Sequence, residues 1–204
     1  MKNVIFMLVL LILIPLNSFS QTIENLDYIS PFNEGFAAIK KNSKWAFINN
    51  DGDIVVNFRD DLVTTKLLDG DFPVFKNGRC LVEKEKNGVS YFGYIDTSGK
   101  TVIEPQFLNA TNFKNGLATV LELKKEQIGK NTALDKNVVY YKYFEVTIDT
   151  TGAIKNYLTL EGVNIVLDKE FLRKPPRFTS KKIADNLVAS KNKKGKWTIM
   201  KIIE

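Results

Sequence analysis

The sequence predicts an all-β fold: tandem antiparallel β-meander repeats stacked as an open array. Three observations predict it. The phrase Phe75-Lys76-Asn77-Gly78-Arg79-Cys80-Leu81-Val82 returns as Phe113-Lys114-Asn115-Gly116-Leu117-Ala118-Thr119-Val120, and a phrase that recurs at repeat spacing marks a repeat architecture. Short β-rich runs alternate with turn clusters such as Asn49-Asn50-Asp51-Gly52 and Thr97-Ser98-Gly99-Lys100, which is hairpin chemistry. No sustained apolar pattern at the helical period follows the first segment; the single helical turn expected is Leu167 to Leu172, stopped by Pro175. Closure into a small propeller or barrel is the alternative layout, and unequal units with unlike ends favour the open form.

The first segment stands apart. Lys2 precedes an apolar run from Val4 to Leu16, and Asn17-Ser18-Phe19-Ser20 ends in small residues. This is the pattern of a secretory signal peptide over residues 1–20, with cleavage near Ser20. The run is too short for a membrane span and is interrupted by Pro15 and Asn17. An exported protein, periplasmic or secreted, is therefore expected, with a single β-repeat domain over 21–204.

Four units follow in order, at approximately 29–57, 72–107, 110–160 and 178–204. In the first, Phe36 to Ile39 and Trp45 to Ile48 are strands around a polar turn, and Ile54-Val55-Val56 closes the meander. In the second, Arg79 to Glu83, Ser90 to Asp96 and Thr101 to Ile103 repeat the design, and Pro105, with no N–H to donate, is expected to break the ladder. The third has Leu117 to Leu123, a polar insertion from Lys124 to Lys136, and Val138 to Asp149. After the Thr150-Thr151-Gly152 turn, Glu161-Gly162 suggests a hairpin between Tyr157–Leu160 and Val163–Leu167. The fourth is degenerate. Ile183 to Ala189 follows the pattern of Phe113 to Thr119, with Asn186 where Gly116 stood, and Trp197 to Met200 is the last strand. Asn is the side chain that best tolerates the left-handed backbone after Gly.

Composition narrows the chemistry. There is no histidine, so histidine triads and histidine-built metal sites are excluded. Cys80 is the single cysteine and cannot pair within the chain. It matches Ala37 and Ala118 in the neighbouring units, as a small buried residue would. Asp51-Gly52-Asp53 and Asp69-Gly70-Asp71 are fragments of an oxygen-ligand loop without its further ligands, so hairpin turns are expected there. The carboxylates of Asp60-Asp61 and Glu83-Lys84-Glu85 have no fixed separation and suit a solvated face better than glycosidic chemistry. The recurring aromatics Phe32, Phe75 and Phe113, with Trp45, Phe92, Phe144 and Trp197, suit a core shared between stacked units better than a carbohydrate platform.

Two features are not shared by the units. The run Val138-Val139-Tyr140-Tyr141-Lys142-Tyr143-Phe144 is aromatic on both faces and needs cover on both; the insertion folding back is the expected cover, and an exposed patch around Tyr140 and Tyr141 is the alternative. The net charge is +6, and it is uneven. Phe171 to Glu204 carries ten Lys or Arg against Asp185 and Glu204, while the rest of the mature chain is slightly acidic. Lys181, Lys182, Lys193 and Lys194 are the candidate contacts for an anionic membrane surface or polysaccharide, against a plain role in guarding a sheet edge.

These residues resemble the WG-repeat family, named for a Trp-Gly pair. The second unit matches best, with Phe92-Gly93-Tyr94-Ile95-Asp96 in the Trp-Gly position and Glu104-Pro105-Gln106-Phe107 as the link to the next unit. No unit keeps both members of the pair: Trp45-Ala46, Phe92-Gly93, Glu145-Val146 and Trp197-Thr198 each lose one or both. The resemblance implies a non-catalytic, exported interaction or ligand-binding module. Its partner is an unknown protein or envelope component, with no cofactor, no metal and no nucleic acid. The alternative it leaves open is an envelope-associated structural protein that contacts anionic surfaces through its basic last unit.

Overall fold

The computed structural model describes residues 22–131, 136–184, 186–192 and 194–202, the side chains of 128–131 and 136–138 excepted. The expected signal peptide at 1–20 and Lys193 lie outside the described residues. All regular structure described is β, in several antiparallel sheets, and none closes into a barrel.

Unit one is the sheet β1 (Tyr28–Ile29), β2 (Ala37–Lys41), β3 (Lys44–Ile48) and β4 (Ile54–Arg59), in that order. A separate hairpin, β5 (Thr65–Leu67) and β6 (Gly70–Phe72), comes next. Unit two is β7 (Cys80–Lys86), β8 (Val89–Ile95) and β9 (Thr101–Phe107). Unit three is β10 (Leu117–Asn131), β11 (Lys136–Asp149), β12 (Ile154–Tyr157) and β13 (Val163–Ile165). Unit four is β14 (Lys181–Ala184), β15 (Leu187–Lys191) and β16 (Trp197–Lys201).

Each unit begins with an extended lead-in along its first long strand. Asp27 and Ser30 donate to Lys40 and Ala38; Val63 donates to Leu81; Leu108 and Thr111 donate to Leu121 and Thr119. A tight two-residue turn then reverses the chain at Glu34-Gly35, Asn77-Gly78 and Asn115-Gly116, all in left-handed geometry. These turns stack. Gly78 N–H donates to Glu34 Oε2 at 3.4 Å and Gly116 N–H to Asn77 Oδ1 at 2.8 Å.

Single meanders bury too little apolar surface alone, so the cores lie between units. One core joins Ala38, Trp45, Phe47 and Val56 of unit one to Cys80, Val82 and Ile95 of unit two. The next joins Leu81, Phe92, Tyr94 and Ile103 to Ala118, Val120, Val146 and Ile148. The Phe that introduces a unit packs onto the unit before it: Phe75 on Phe47 with ring centroids 4.4 Å apart, and Phe113 on Tyr94 at 4.8 Å. Burying one such ring contributes about 1.5–3 kcal/mol. The β5–β6 hairpin covers the edge of the first core, where Tyr28 meets Trp45 and Phe72.

Four expectations are corrected. Pro105 does not end its strand. β9 runs on to Phe107 because a bulge sets Gly93 alone against Glu104 to Gln106, so the missing N–H falls where the ladder is already open. Lys124 to Lys136 is not a polar insertion that folds back; it lengthens β10 and β11 into a two-stranded ribbon, paired out to Asn131↔Lys136. Glu161-Gly162 does not turn a hairpin. β12 and β13 both pair with the same edge of β11, at Val146–Ile148 and at Tyr141–Tyr143. Among the repeated aromatics, Phe32 and Trp197 are about half exposed, because they sit in the first and last described units, where no further described unit stacks on them. The turn at Leu167 to Leu172 does form, closed by Leu172 N–H to Asp168 O at 2.8 Å.

Candidate functional site

The ribbon carries one face of alternating rings and charges. Even-numbered residues of β10 and β11 share that face by strand alternation, with Glu126 opposite Tyr140, Lys124 opposite Lys142 and Glu122 opposite Phe144. At its outer end the Tyr140 hydroxyl donates to Glu126, and Lys142 Nζ lies 3.2 Å from Glu126 Oε2 and 4.8 Å from the Tyr140 ring centroid. Nearer the sheet, Lys124 Nζ donates to Tyr157 Oη at 2.6 Å, and Tyr157 donates to Glu122 Oε2 at 3.0 Å. Lys124 also lies over the rings of Phe144 and Tyr157, 5.4 and 4.8 Å from their centroids.

Titration follows these contacts. The Tyr140 hydroxyl bond and then Lys142 hold Glu126 below the usual carboxylate range. Tyr140, then Glu126, raise Lys142, and Tyr157 raises Lys124. The face therefore keeps both signs of charge at neutral pH, arranged around half-exposed rings.

Tyr141 falls on the opposite face from Tyr140. It pairs with Lys125 across one edge and Ile165 across the other. Tyr143, on the same side, packs with Leu121, Leu123, Leu167, Leu172 and Phe178. The cover for this face thus comes from the segment after β13. On the other face, the link between β12 and β13 crosses the ring of Phe144 at Gly162, where a Cβ would sit 2.6 Å from the ring.

Farther along β11, Glu145 stands in register with Trp45 and Phe92, the signature aromatic position. It is 1% exposed. Its carboxylate accepts from Thr179 N–H at 2.6 Å, Thr179 Oγ1 at 2.5 Å and Ser180 N–H at 2.9 Å. All three donors belong to the lead-in of unit four, so the residue that abandons the signature clamps the last unit onto the array. Charge-assisted bonds of this kind are the strong ones.

The candidate lysines do not form one patch. Lys181 lies over the Trp197 ring at 4.7 Å, and Lys191 lies over the same ring at 5.0 Å. Trp197 is 50% and Ile199 64% exposed, and both lie on the outward face of the last sheet. Lys182 points the other way, into the groove between units three and four beside Thr147 and Leu158. Lys194 sits in the β15–β16 turn, where its N–H donates to Asn192 Oδ1.

The remaining candidates resolve into structure. Asn49 Oδ1 accepts from Asp51 and Asp53 N–H, so that cluster is a hairpin turn, and Asp69 lies in the β5–β6 turn. Asp61 is bonded to Arg59 at 2.5 and 2.7 Å, and Arg59 reaches on to Gly99 O. No group of three or more metal-ligating residues gathers among the described residues. Burial pushes the Cys80 thiol up to about 12, far from a nucleophile's range. In the sequence alone, Glu145 and Thr198 are only departures from the Trp-Gly pattern. Setting the four units in register is the signal that gives them roles.

A family model described as WG containing repeat matches residues 23–45, in the first unit, and 92–125, across the second and third. No curated protein matches the chain. Among solved structures, the crystal structure of the computationally designed Ika4 protein is similar at 12% identity, covering 91% of this chain and 96% of that chain, with a TM-score of 0.32. The two superpose too loosely for that likeness to define the fold.

Proposed function

We propose that this WG-repeat chain is an exported, non-catalytic interaction module whose array is a scaffold and whose ribbon is the contact surface. One observation carries the reading. β10 and β11 span 15 and 14 residues, about twice the 7 of β7 and β8, and the extra length carries the Tyr140–Glu126 pair outward, beyond Lys124 and Lys142 at its base. Rings and cations that need little reordering suit a protein or envelope component as partner. The signal-peptide pattern at residues 1–20 supports export, and the buried Cys80 thiol supports a non-catalytic role.

The test is a pull-down from envelope extracts with the full mature chain and a variant whose ribbon is shortened to the length of β7–β8. A partner retained by the first and lost by the second is expected. Recovery of the same proteins by both, or of none across several salt concentrations, counts against the reading.

A second reading is favoured by Trp197. An exposed Trp with Lys181 and Lys191 on its ring and Ile199 beside it has the composition of an interfacial membrane contact. The lysines would meet anionic headgroups. Co-sedimentation with vesicles containing phosphatidylglycerol, but not with pure phosphatidylcholine vesicles, is expected on that reading. Equal sedimentation after Trp197→Ser with Lys181→Glu would sink it.

A further inference from the structure

We infer that the cleft between units three and four is a binding site for a small, neutral, polyhydroxylated ligand of the sugar class. The inference stands apart from the ribbon, which does not line it.

The position occupied by Ile39, Val82 and Val120 in the first three units is Ser190 in the fourth, and the position of Ala46, Gly93 and Val146 is Thr198. In units two and three these are apolar contacts inside the stacked cores. In unit four they become two hydroxyls paired directly across β15 and β16. Both line a cleft of about 440 Å³, within the range of small-molecule sites.

The opposite wall supplies two more hydroxyls, each half-used. Thr159 Oγ1 accepts from Glu145 N–H at 3.0 Å, which leaves its own proton to donate outward. Thr179 Oγ1 donates to Glu145 Oε1, which leaves its lone pairs to accept. Ser190 is 6% exposed, yet its hydroxyl has no protein partner among the described residues, and a hydroxyl so placed normally has one. It opens on the cleft instead. The apolar part of the lining is Leu160, Val163 and Met200. A pyranose offers the matching surface: a C–H face for the apolar floor and a rim of hydroxyls that both donate and accept. Glu161 and Lys191 bring opposite charges to the lining, and the Lys191 ammonium is turned to the Trp197 ring, so an ionic ligand has no favoured sign.

The experiment is saturation-transfer NMR on the full mature chain with a panel of glucose, galactose, mannose, N-acetylglucosamine and their β1,4- and α1,4-linked dimers. At least one is expected to bind in the millimolar range, as a few neutral hydrogen bonds allow. Ser190→Val with Thr198→Val restores the Val120–Val146 pair already found in unit three. It should weaken binding at least tenfold while the melting temperature holds or rises; Thr198→Val alone, at an exposed position, is the milder check. No transfer from any sugar in the panel overturns the inference, and so does unchanged binding by the double variant.

Discussion

At the scale of single residues, the Gly of the signature pair is required only where a bulge crowds it. A Cβ on Gly93 would stand 2.4 Å from Ile103 O and 2.6 Å from Pro105 N, because there one residue faces three. In unit one Ala46 faces only Asn57 and Phe58, one extra residue instead of two. In unit three the irregularity has moved one pair along, so Val146 meets Tyr157 in ordinary register. The expected outcome is that Gly93→Ala lowers stability by about 3 kcal/mol, the upper end for forced overpacking, whereas Ala46→Gly costs no more than about 1 kcal/mol. Denaturant unfolding of the two variants checks this, and equal losses would refute the assignment. Asp96 and Asp149 make a second residue-scale case. Hydroxyls of Ser98 and Thr151, then backbone N–H groups, hold both carboxyls below the usual range. A depressed folded pKa gives stability that is present above the unfolded value, about 3.9, and lost as pH falls through the folded value. Asn49 performs the same task with an amide oxygen that does not titrate. Asp96→Asn with Asp149→Asn should therefore flatten the loss of stability between about pH 4 and pH 2 relative to the wild type. Parallel pH curves would count against it.

Elements show why part of the fold was legible in the sequence and part was not. Strands and turns could be read wherever a local rule acts alone. Asn77-Gly78 demands a left-handed turn whatever surrounds it, and the apolar run Cys80-Leu81-Val82 marks a strand buried on both faces. Those rules are silent on what lies opposite. Pro105 breaks a regular ladder but not a bulged one, and the bulge is a property of β8 and β9 together. Lys124 to Lys136 is polar on the local scale. It is a ribbon because its residues out to Asn131, all but Ile128 at a bulge, find partners on β11, where opposite charges and ring–cation contacts replace burial. The same limit hid the candidate sites. Tyr140 and Tyr141 are neighbours in sequence and lie on opposite faces, and Lys181 and Lys182 repeat that division. Glu145 looked like a lost aromatic, since nothing nearby in the chain announces donors more than thirty residues away.

Over the whole molecule, stacked units make stability a sum of neighbour terms, and the terms here are unequal. The cores between units one and two and between units two and three are built from rings and branched side chains: Trp45, Phe47 and Phe75 in the first, Phe92, Tyr94 and Phe113 in the second. Between units three and four the apolar core shrinks to Leu158, Val188 and Ile202 with Met200, and the Glu145 clamp supplies much of the rest. Unit four is therefore the unit that opens first. Hydrogen exchange should be faster in β14, β15 and β16 than in β7, β8 and β9 under native conditions, since local opening draws on local contacts. Glu145→Ala removes the charged acceptor shared by the Thr179 and Ser180 donors, and bonds to a charged group are the stronger kind. It should speed exchange across β14 to β16 strongly while leaving β7 to β9 at their wild-type rates. Phe75→Ala, which empties the socket between units one and two, should cost about 3–5 kcal/mol and lower the main unfolding transition. If Glu145→Ala slowed or spared unit four, or if both variants shifted every strand together, the array would behave as a single cooperative body and the clamp would carry no separate weight.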